Sequence, residues 1–348
     1  FAENIPQDGG HIPYAFEVDG HFPMTHLDRG DAAMIAYGTS LYLLNTGDLD
    51  KAQKLWPLVK WSLSYCHNNR NSSGAVISES DEMELRIETG TANLLTSTLY
   101  YGGLKFSGLI AKALGEVDFA KELLTRQDEM SDVIENYFGA TIDGHNTYRY
   151  FDGNQHLRHW ICLPLTMGVD KRKAGTLKAL FGPMWTDEGV LVEYNPEAAD
   201  KKMVFWDRAT LYALRGALQA GETELAINRL KDYSRKRLLG SHVPYPVEAY
   251  PENNMKHLSA ESALYCRVFI EGLFGIEPAG FASFYLEPRL PDDWDNMSLK
   301  NISVNGKICD INIKRNGAYL VIETIGTQGY KDIKNIVNGD RVLIDFEE

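Results

Sequence analysis

The hydrophobic positions of this chain form long helical stretches of two alternating kinds. One kind is apolar around nearly its whole circumference, as in residues 31–47, 92–114 and 258–274, and such helices must be buried. The other kind has Lys, Glu and Gln on one face, as in residues 50–69 and 117–137, so that face meets solvent. Shorter segments continue the alternation at 156–168, 171–181, 206–220 and 222–239. The pattern predicts about nine helices arranged as nested hairpins.

The pattern changes after residue 280. Short alternating runs at 309–313 and 319–322 are flanked by Asn305-Gly306 and Asn316-Gly317. An Asn-Gly pair between alternating segments is a strong signal for a β-hairpin. We therefore predict a helical domain over residues 1–280 and a small antiparallel β domain over residues 281–348.

Composition narrows the classes of ligand. The 348 residues are 44% hydrophobic and 24% charged, which is typical of a globular protein. The net charge of -13 argues against nucleic acid and anionic membranes, since both need a basic face. No apolar run reaches 18 residues, so no membrane span is predicted. Aromatic residues make up 11%, and Tyr and Trp can stack on sugar rings. We expect an uncharged ligand such as a carbohydrate.

The cysteines and the first residues add two expectations. The four cysteines are widely spaced, with no C-x-x-C pair and no Cys/His cluster, so we predict buried thiols and no structural zinc. Neither a metal nor a cofactor is expected. The chain has no initiator Met and begins with a stretch rich in Asn, Gln, Gly and Pro. This is typical of a mature product, and we expect a secreted or periplasmic protein.

The segment Gly74 to Asn93, called here the acidic loop, is the richest cluster of carboxylates before a buried helix. Its acids crowd within ten residues, with Arg86 as the nearby cation: Glu79, Asp81, Glu82, Glu84 and Glu88. Crowded like charges raise the pKa of at least one group, as a general acid requires. A solvated loop that binds calcium is the alternative interpretation. Glu82 is the preferred general acid, followed by Glu79.

Glu248 precedes the last buried helix in a segment that contains three prolines between residues 244 and 251. Proline stiffens the backbone and is excluded from helix interiors, so Glu248 is predicted to lie on a defined loop. We predict that Glu248 is a general base. Glu252 and Glu261 remain alternatives for this role. A helix cap is the other interpretation of Glu248, although Ser259 or Asn254 could supply one.

Further polar and aromatic residues precede the buried helices. Asp28 and Arg29, in THLDRGD, could hold sugar hydroxyls through charge-assisted hydrogen bonds, and a structural ion pair is equally consistent. His156 and His159 lack an acidic partner at metal-site spacing, which favours hydrogen-bonding or core histidines. The candidates to line a sugar pocket, besides Asp28 and Arg29, are Arg86, His156, His159, Trp160, Trp206, Asp207, Tyr250, Glu252 and Asn253.

Three stretches carry a resemblance to a known family. The first is GDAAMIAYGTSLYLLNTGDLDKAQKLWPLVKWSLSYC, with its Thr46-Gly47-Asp48 turn and Trp56-Pro57 pair. The second is PVEAYPENNMKHLSAESALYCRVFIEGLFGIEP, and the third is LEPRLPDDW, which is followed by the predicted strands. Together they resemble the six-hairpin, or (α/α)6-barrel, glycosidases, and within them most of all the α-L-rhamnosidase group, family 78 of the glycoside hydrolases. Glu248 falls where that group carries its general base.

The resemblance implies a mainly α fold: an (α/α)6 toroid, either complete or incomplete at its N-terminus, with a small C-terminal antiparallel β domain. It also implies an inverting, exo-acting glycosidase that releases a terminal sugar from a plant or microbial glycan. The acidic loop resembles the acid loop of the disaccharide phosphorylases, which maps the acid onto Asp81 and Glu82. Two features depart from the family. Six hairpins need twelve helices, and the rhamnosidase acid motif is absent from residues 1–30. That hairpin and its acid therefore lie upstream of Phe1, or the acid is supplied elsewhere.

Two other functions remain open. Sugar epimerases on a similar barrel rely on paired histidines, whereas carboxylates dominate the loops here. A glycan-binding fragment without turnover is the non-enzymatic alternative. Hydrolysis of a glycoside needs one carboxyl group to protonate the leaving oxygen and one carboxylate to activate water or attack the sugar. The abundance of loop carboxylates favours the glycosidase.

Overall fold

The computed structural model describes residues 27–83, 85–197, 204–240, 245–248 and 259–346. The helices of these residues follow the predicted order: α1 Asp31–Thr46, α2 Leu49–Asn68, α3 Leu94–Ala113, α4 Val117–Val133, α5 Leu163–Met167, α6 Lys173–Phe181, α7 Asp207–Gln219, α8 Thr223–Leu238 and α9 Ser259–Arg267. Two of them continue as π-helical turns, Ile134–Phe138 after α4 and Val268–Leu273 after α9. Among the described helices, none is both long and apolar enough to cross a membrane.

The chain divides into two compact units. Unit 1 contains the chain up to Ala140 together with Tyr148–Asn154, and it therefore holds α1 to α4. Unit 2 contains Thr141–Thr147 and everything from Gln155, and it holds α5 to α9 and the C-terminal strands. The predicted domain boundary at residue 280 stays a prediction.

Unit 1 is built on the close contact of α1 with α3. Small residues permit this approach, since a Cβ atom on Gly103 would lie 3.0 Å from the Cβ of Ala36. Almost the whole circumference of α3 is buried, whereas α2 and α4 each keep a polar face in solvent. Asp48 caps α2 by accepting from the Lys51 amide, and Asn93 caps α3 by accepting from the Thr96 amide. The prediction of a buried α3 and of half-exposed α2 and α4 is confirmed. The prediction that α1 is buried nearly all round is wrong, since Met34 and Tyr42 are exposed.

Unit 2 is centred on α7. This helix contacts α5, α8, α9 and the π-helical turn after α9, and ten of its thirteen residues are buried. The absence of a side chain at Gly272 lets the π-helical turn approach Leu218, whose Cδ1 would lie 2.8 Å from an added Cβ. The last turns of α7 are therefore packed closely against the π-helical turn.

The strands form several small antiparallel sheets. In chain order they are β1 Gly139–Ile142, β2 His145–Tyr148, β3 Leu157–Arg158, β4 Trp185–Thr186, β5 Gly189–Val190, β6 Glu193–Tyr194, β7 Glu277–Pro278, β8 Ser283–Leu286, β9 Asn296–Val304, β10 Lys307–Asn316, β11 Tyr319–Gly326, β12 Lys331–Ile336 and β13 Val342–Asp345. The C-terminal region contains a four-stranded sheet in the order β12-β11-β10-β9 and a three-stranded sheet in the order β13-β8-β7. β1 pairs with β2, β3 with β6 and β4 with β5.

The two predicted Asn-Gly turns differ in detail. Val304 pairs with Lys307, so Asn305 and Gly306 form the two-residue loop, both at positive φ. Asn316, in contrast, is still paired with Tyr319. The second loop therefore consists of Gly317 and Ala318, one residue later than predicted, because the single glycine takes the first loop position.

The cysteine prediction holds for three of the four residues. Cys66, Cys162 and Cys309 are buried, and burial raises the pKa of Cys66 and brings that of Cys309 to about 11. Cys266 is exposed, which corrects the prediction of four buried thiols. It lies in α9, which was predicted to be apolar and buried nearly all round. That prediction is wrong for α9, since Ala263 and Cys266 are exposed and Glu261 is the one fully buried side chain among those described in this helix.

Candidate functional site

The acidic loop of unit 1 is hydrogen-bonded to the segment that precedes α1. The amides of Glu79 and Ser80 donate to the Asp28 carbonyl oxygen at 2.8 and 2.9 Å. In return the Asp28 amide donates to Oε2 of Glu79 at 2.8 Å. The structure thus brings Asp28 together with Glu79 of the acidic loop, 51 residues away in sequence.

Asp28 is buried, and both of its carboxylate oxygens accept hydrogen bonds. Its Oδ2 accepts from the Tyr65 hydroxyl at 2.7 Å and its Oδ1 from the Gly30 amide at 2.7 Å. Burial, together with this bond to Asp28, raises the pKa of Tyr65. Since both carboxylate oxygens already have donors, Asp28 is better suited to anchoring the loop than to binding a sugar hydroxyl.

Asp81 is also an anchor. Its side chain is fully buried, Oδ1 accepts from the Met83 amide at 2.8 Å, and Oδ2 accepts from the Tyr150 hydroxyl at 2.6 Å. A proton donor must reach the leaving oxygen of the substrate, which a fully enclosed carboxylate cannot do without movement. Glu82 is half-buried and Glu79 is exposed, so neither of these two candidates is enclosed as Asp81 is.

Asp31 is a site candidate that sequence reasoning missed. It is the first residue of α1, it is buried, and its carboxylate lies 3.5 Å from Nη2 of Arg29. Burial raises the pKa of Asp31, while the Arg29 guanidinium opposes the rise. The signal in the sequence was its position at the start of a predicted helix, next to Asp28 and Arg29. Arg86, by contrast, is exposed, and its Nε donates to the Met83 carbonyl oxygen of its own loop at 3.1 Å.

In unit 2 the candidates gather at the start of α7. Trp206 is buried directly before the helix, and Asp207 is its first residue, 1% exposed. The Asp207 carboxylate accepts from Nε of Arg237 at 3.0 and 3.2 Å and from the Val247 amide at 2.7 Å. Burial raises the pKa of Asp207, whereas Arg237 and the Val247 amide lower it. The predicted role of Asp207 as a sugar ligand is not favoured by this enclosure.

The histidine and tryptophan of the 156–160 segment belong to the core. The backbone amide and Nδ1 of His159 both donate to the Val192 carbonyl oxygen, at 3.1 and 3.0 Å. The His159 ring lies 4.6 Å from the ring of Trp160 and 6.5 Å from that of Trp206. His156 is half-buried. In the part of the chain that the structure describes, no group of three or more His, Cys, Asp or Glu side chains could hold a metal ion.

A second buried ion pair joins α7 to α9. Nε and Nη2 of Arg208 donate to Oε1 of Glu261 at 2.9 and 2.7 Å, and the Arg208 guanidinium lies 5.1 Å from the Trp206 ring. Glu261 is fully buried, and its Oε2 has no hydrogen-bond partner among the described residues. Arg208 was not predicted from the sequence, although it follows Trp206-Asp207 directly.

Glu248 is half-buried at the end of the described segment 245–248. The residue before it, Val247, is fully buried, and its amide is the one held by Asp207. The backbone that carries Glu248 is therefore tied to the start of α7. Tyr250, Glu252 and Asn253 lie outside the described residues.

No family model matches the sequence, and no curated protein matches it. Among solved structures, a sialidase is similar over 94% of this chain and 34% of its own, with a TM-score of 0.67 and 15% identity. A wild-type glycosidase matches over 76% of this chain and 68% of its own (TM-score 0.52, 17% identity). The family 78 rhamnosidase of Bacillus sp. GL1 matches over 84% of this chain and 32% of its own (TM-score 0.54, 14% identity). The chain thus spans about a third of the sialidase and of the rhamnosidase.

The fold is a glycosidase fold related to that of the rhamnosidases. The expected mainly α architecture with a small antiparallel β region is confirmed. Within this glycosidase fold, Asp28, Glu79 and the neighbouring loop acids come together in unit 1. Trp206, Asp207 and the residue before Glu248 come together in unit 2.

Proposed function

We propose that this protein is a glycoside hydrolase in which Glu248 acts as general base and Glu82 as general acid. The observation that carries the proposal is the setting of Glu248, a half-buried carboxylate directly after a backbone amide locked to buried Asp207. The fold likeness to glycosidases supports the same chemistry. The backbone next to this carboxylate is fixed by a hydrogen bond, while the Glu248 side chain itself is not fully enclosed.

The reaction we propose is hydrolysis with inversion at a terminal sugar of a plant or microbial glycan. Glu248 removes a proton from water as the water oxygen bonds to the anomeric carbon. The glycosidic bond breaks, and its oxygen takes the proton of Glu82. An inverting enzyme needs roughly 6.5–9.5 Å between the two carboxyl groups to admit the water. An α-L-rhamnoside is the preferred substrate, and a secreted or periplasmic location suits a glycan.

Glu82 is preferred as the acid because the carboxylates of the other two acidic-loop candidates, Asp81 and Glu79, accept hydrogen bonds that hold the loop. Asp81 is enclosed with both oxygens bonded, and Oε2 of Glu79 accepts from the Asp28 amide. Asp31 is a second candidate, since burial raises its pKa toward the range that a proton donor needs.

Leaving-group dependence tests the acid. We expect Glu82→Gln to lower kcat by roughly 10²- to 10⁴-fold on an aryl α-L-rhamnoside with a poor leaving group. A dinitrophenyl leaving group needs no proton, so that substrate should recover most of the rate. Glu88→Gln, at an exposed acid of the same loop, is the matched control and should behave as wild type. If Asp31→Asn shows this dependence and Glu82→Gln does not, the acid is Asp31.

A panel of substrates separates the other functions. Aryl α-L-rhamnosides, sialosides and glucosides should be offered together, because the similar structures include a sialidase and a rhamnosidase. The first-formed sugar should have the inverted anomeric configuration by NMR, and retention would contradict that part of the proposal. Isomerisation of free sugar would indicate an epimerase. Binding without turnover would indicate a glycan-binding protein.

A further inference from the structure

Buried charges behind Glu248 form a connected network in unit 2. Asp207 at the start of α7 is 1% exposed, and its carboxylate accepts from two N–H groups: Nε of Arg237, shared between the two oxygens, and the Val247 amide at 2.7 Å. Because both oxygens are bonded and the side chain is enclosed, this carboxylate is poorly placed to bind a substrate.

Arg237, the other partner of this pair, is held just as firmly. It lies in the last turn of α8 and is 1% exposed. Its Nη2 donates to the carbonyl oxygen of Glu188 at 2.8 Å, and its Nη1 donates to Oε2 of Glu188 at 3.3 Å. Glu188 lies in the turn between β4 and β5, so the guanidinium joins three separate parts of unit 2.

This network ends at the backbone directly before Glu248. Val247 is fully buried, and consecutive Cα atoms lie about 3.8 Å apart. Pro246, which precedes Val247, has a fixed φ and no N–H. The Val247 amide, bonded to a carboxylate, is therefore a fixed point from which the Glu248 side chain starts.

We propose that Asp207 and Arg237 are positioning residues that set the Glu248 carboxylate for catalysis and do not contact the sugar. This inference rests on the proposed function. A buried ion pair contributes little net stability compared with apolar packing, and its better-attested use is to specify one arrangement. Displacing a reacting group by about 1 Å can cost on the order of 100-fold in rate.

Steady-state kinetics of Asp207→Asn and Arg237→Lys test the inference with the substrate that wild type hydrolyses fastest. We expect kcat to fall by about 10- to 100-fold with KM within about threefold of wild type, because the sugar contacts are unchanged. The limb of the kcat–pH profile that reports the general base should shift in both variants. Arg235→Lys is the matched control, since Arg235 is exposed in the same helix, and it should behave as wild type.

Glu188→Gln keeps the Asp207–Arg237 contact and weakens the contact of Glu188 with Arg237, along with its ion pair to Lys236, so it should give a smaller loss of kcat in the same direction. This variant also serves if Asp207→Asn does not fold. A raised KM with unchanged kcat would overturn the inference, since it would make Asp207 a sugar ligand, and unchanged kinetics in every variant would overturn it as well. In both cases wild type is active, so the proposed function stands. An inactive wild type would contradict the proposed function itself, and the inference would fail with it.

Discussion

At the scale of single residues, hydrogen bonding divides the carboxylates into anchors and candidates for chemistry. Asp28, Asp81 and Asp207 are buried, and every oxygen of their carboxylates accepts at least one N–H or O–H. Glu82 and Glu248 are half-buried. The sequence could predict which loops carry acids. It could not distinguish the two groups, because the tyrosine hydroxyls that bond Asp28 and Asp81 lie 37 and 69 residues away along the chain.

Asp31 should make stability depend on pH. Burial raises its pKa in the folded state, so the folded chain holds this proton more tightly than the unfolded chain does. The stabilising contribution is present below the unfolded pKa and is lost as the pH rises through the folded pKa. Asp31→Asn, which cannot ionise, should therefore gain stability relative to wild type between pH 3 and pH 7, measured by denaturant unfolding. A relative stability that falls over this range would contradict the assignment.

Tyr150 should contribute through its hydroxyl. Tyr150→Phe removes the donor to Oδ2 of Asp81, which is fully buried. Leaving a buried acceptor without this donor should lower the free energy of unfolding by about 1–3 kcal/mol in urea titrations. Tyr42→Phe is the control, since Tyr42 is 50% exposed, and it should change stability by less than about 0.5 kcal/mol. Equal effects of the two variants would mean that Asp81 is not an anchor.

At the scale of elements, the helices were predictable because their periodicity is strong, whereas their ends depend on single residues. The nine predicted helical segments each overlap a helix of the described chain, and the loop at Asn305-Gly306 is as predicted. The π-helical turns after α4 and α9 were not predicted, since the same apolar spacing suits an α-helix. The second hairpin loop lies one residue later than predicted, because Gly317 has a positive φ and Asn316 does not.

The start of α1 should be intolerant of a side chain at Gly30. This residue has φ +80°, and an added Cβ would lie 2.4 Å from Oγ1 of Thr96 in α3. Gly30→Ala should lower the free energy of unfolding by about 1–3 kcal/mol. Gly38→Ala, in the same helix with open space around it, should instead raise it by up to about 1 kcal/mol. If Gly30→Ala is neutral in thermal unfolding, the described entry into α1 is wrong.

At the scale of the whole molecule, the fold was more predictable than the site. Helical alternation and three stretches of sequence were enough for the glycosidase fold, which the similar structures confirm. The site required contacts between distant segments, such as Asp207 with Val247, which are 40 residues apart. Neither Asp31 nor Arg208 stood out in the sequence, because burial and pairing, and not residue type, distinguish them.

Rescue of a Glu248→Ala variant by azide tests the central claim most directly. The variant should hydrolyse the best aryl glycoside at least about 100-fold more slowly than wild type, since no base activates water. Azide, which needs no base, should enter the vacated space and restore turnover, with a glycosyl azide of inverted configuration as product. Wild-type rates for Glu248→Ala without azide would contradict the assignment of Glu248 as the general base.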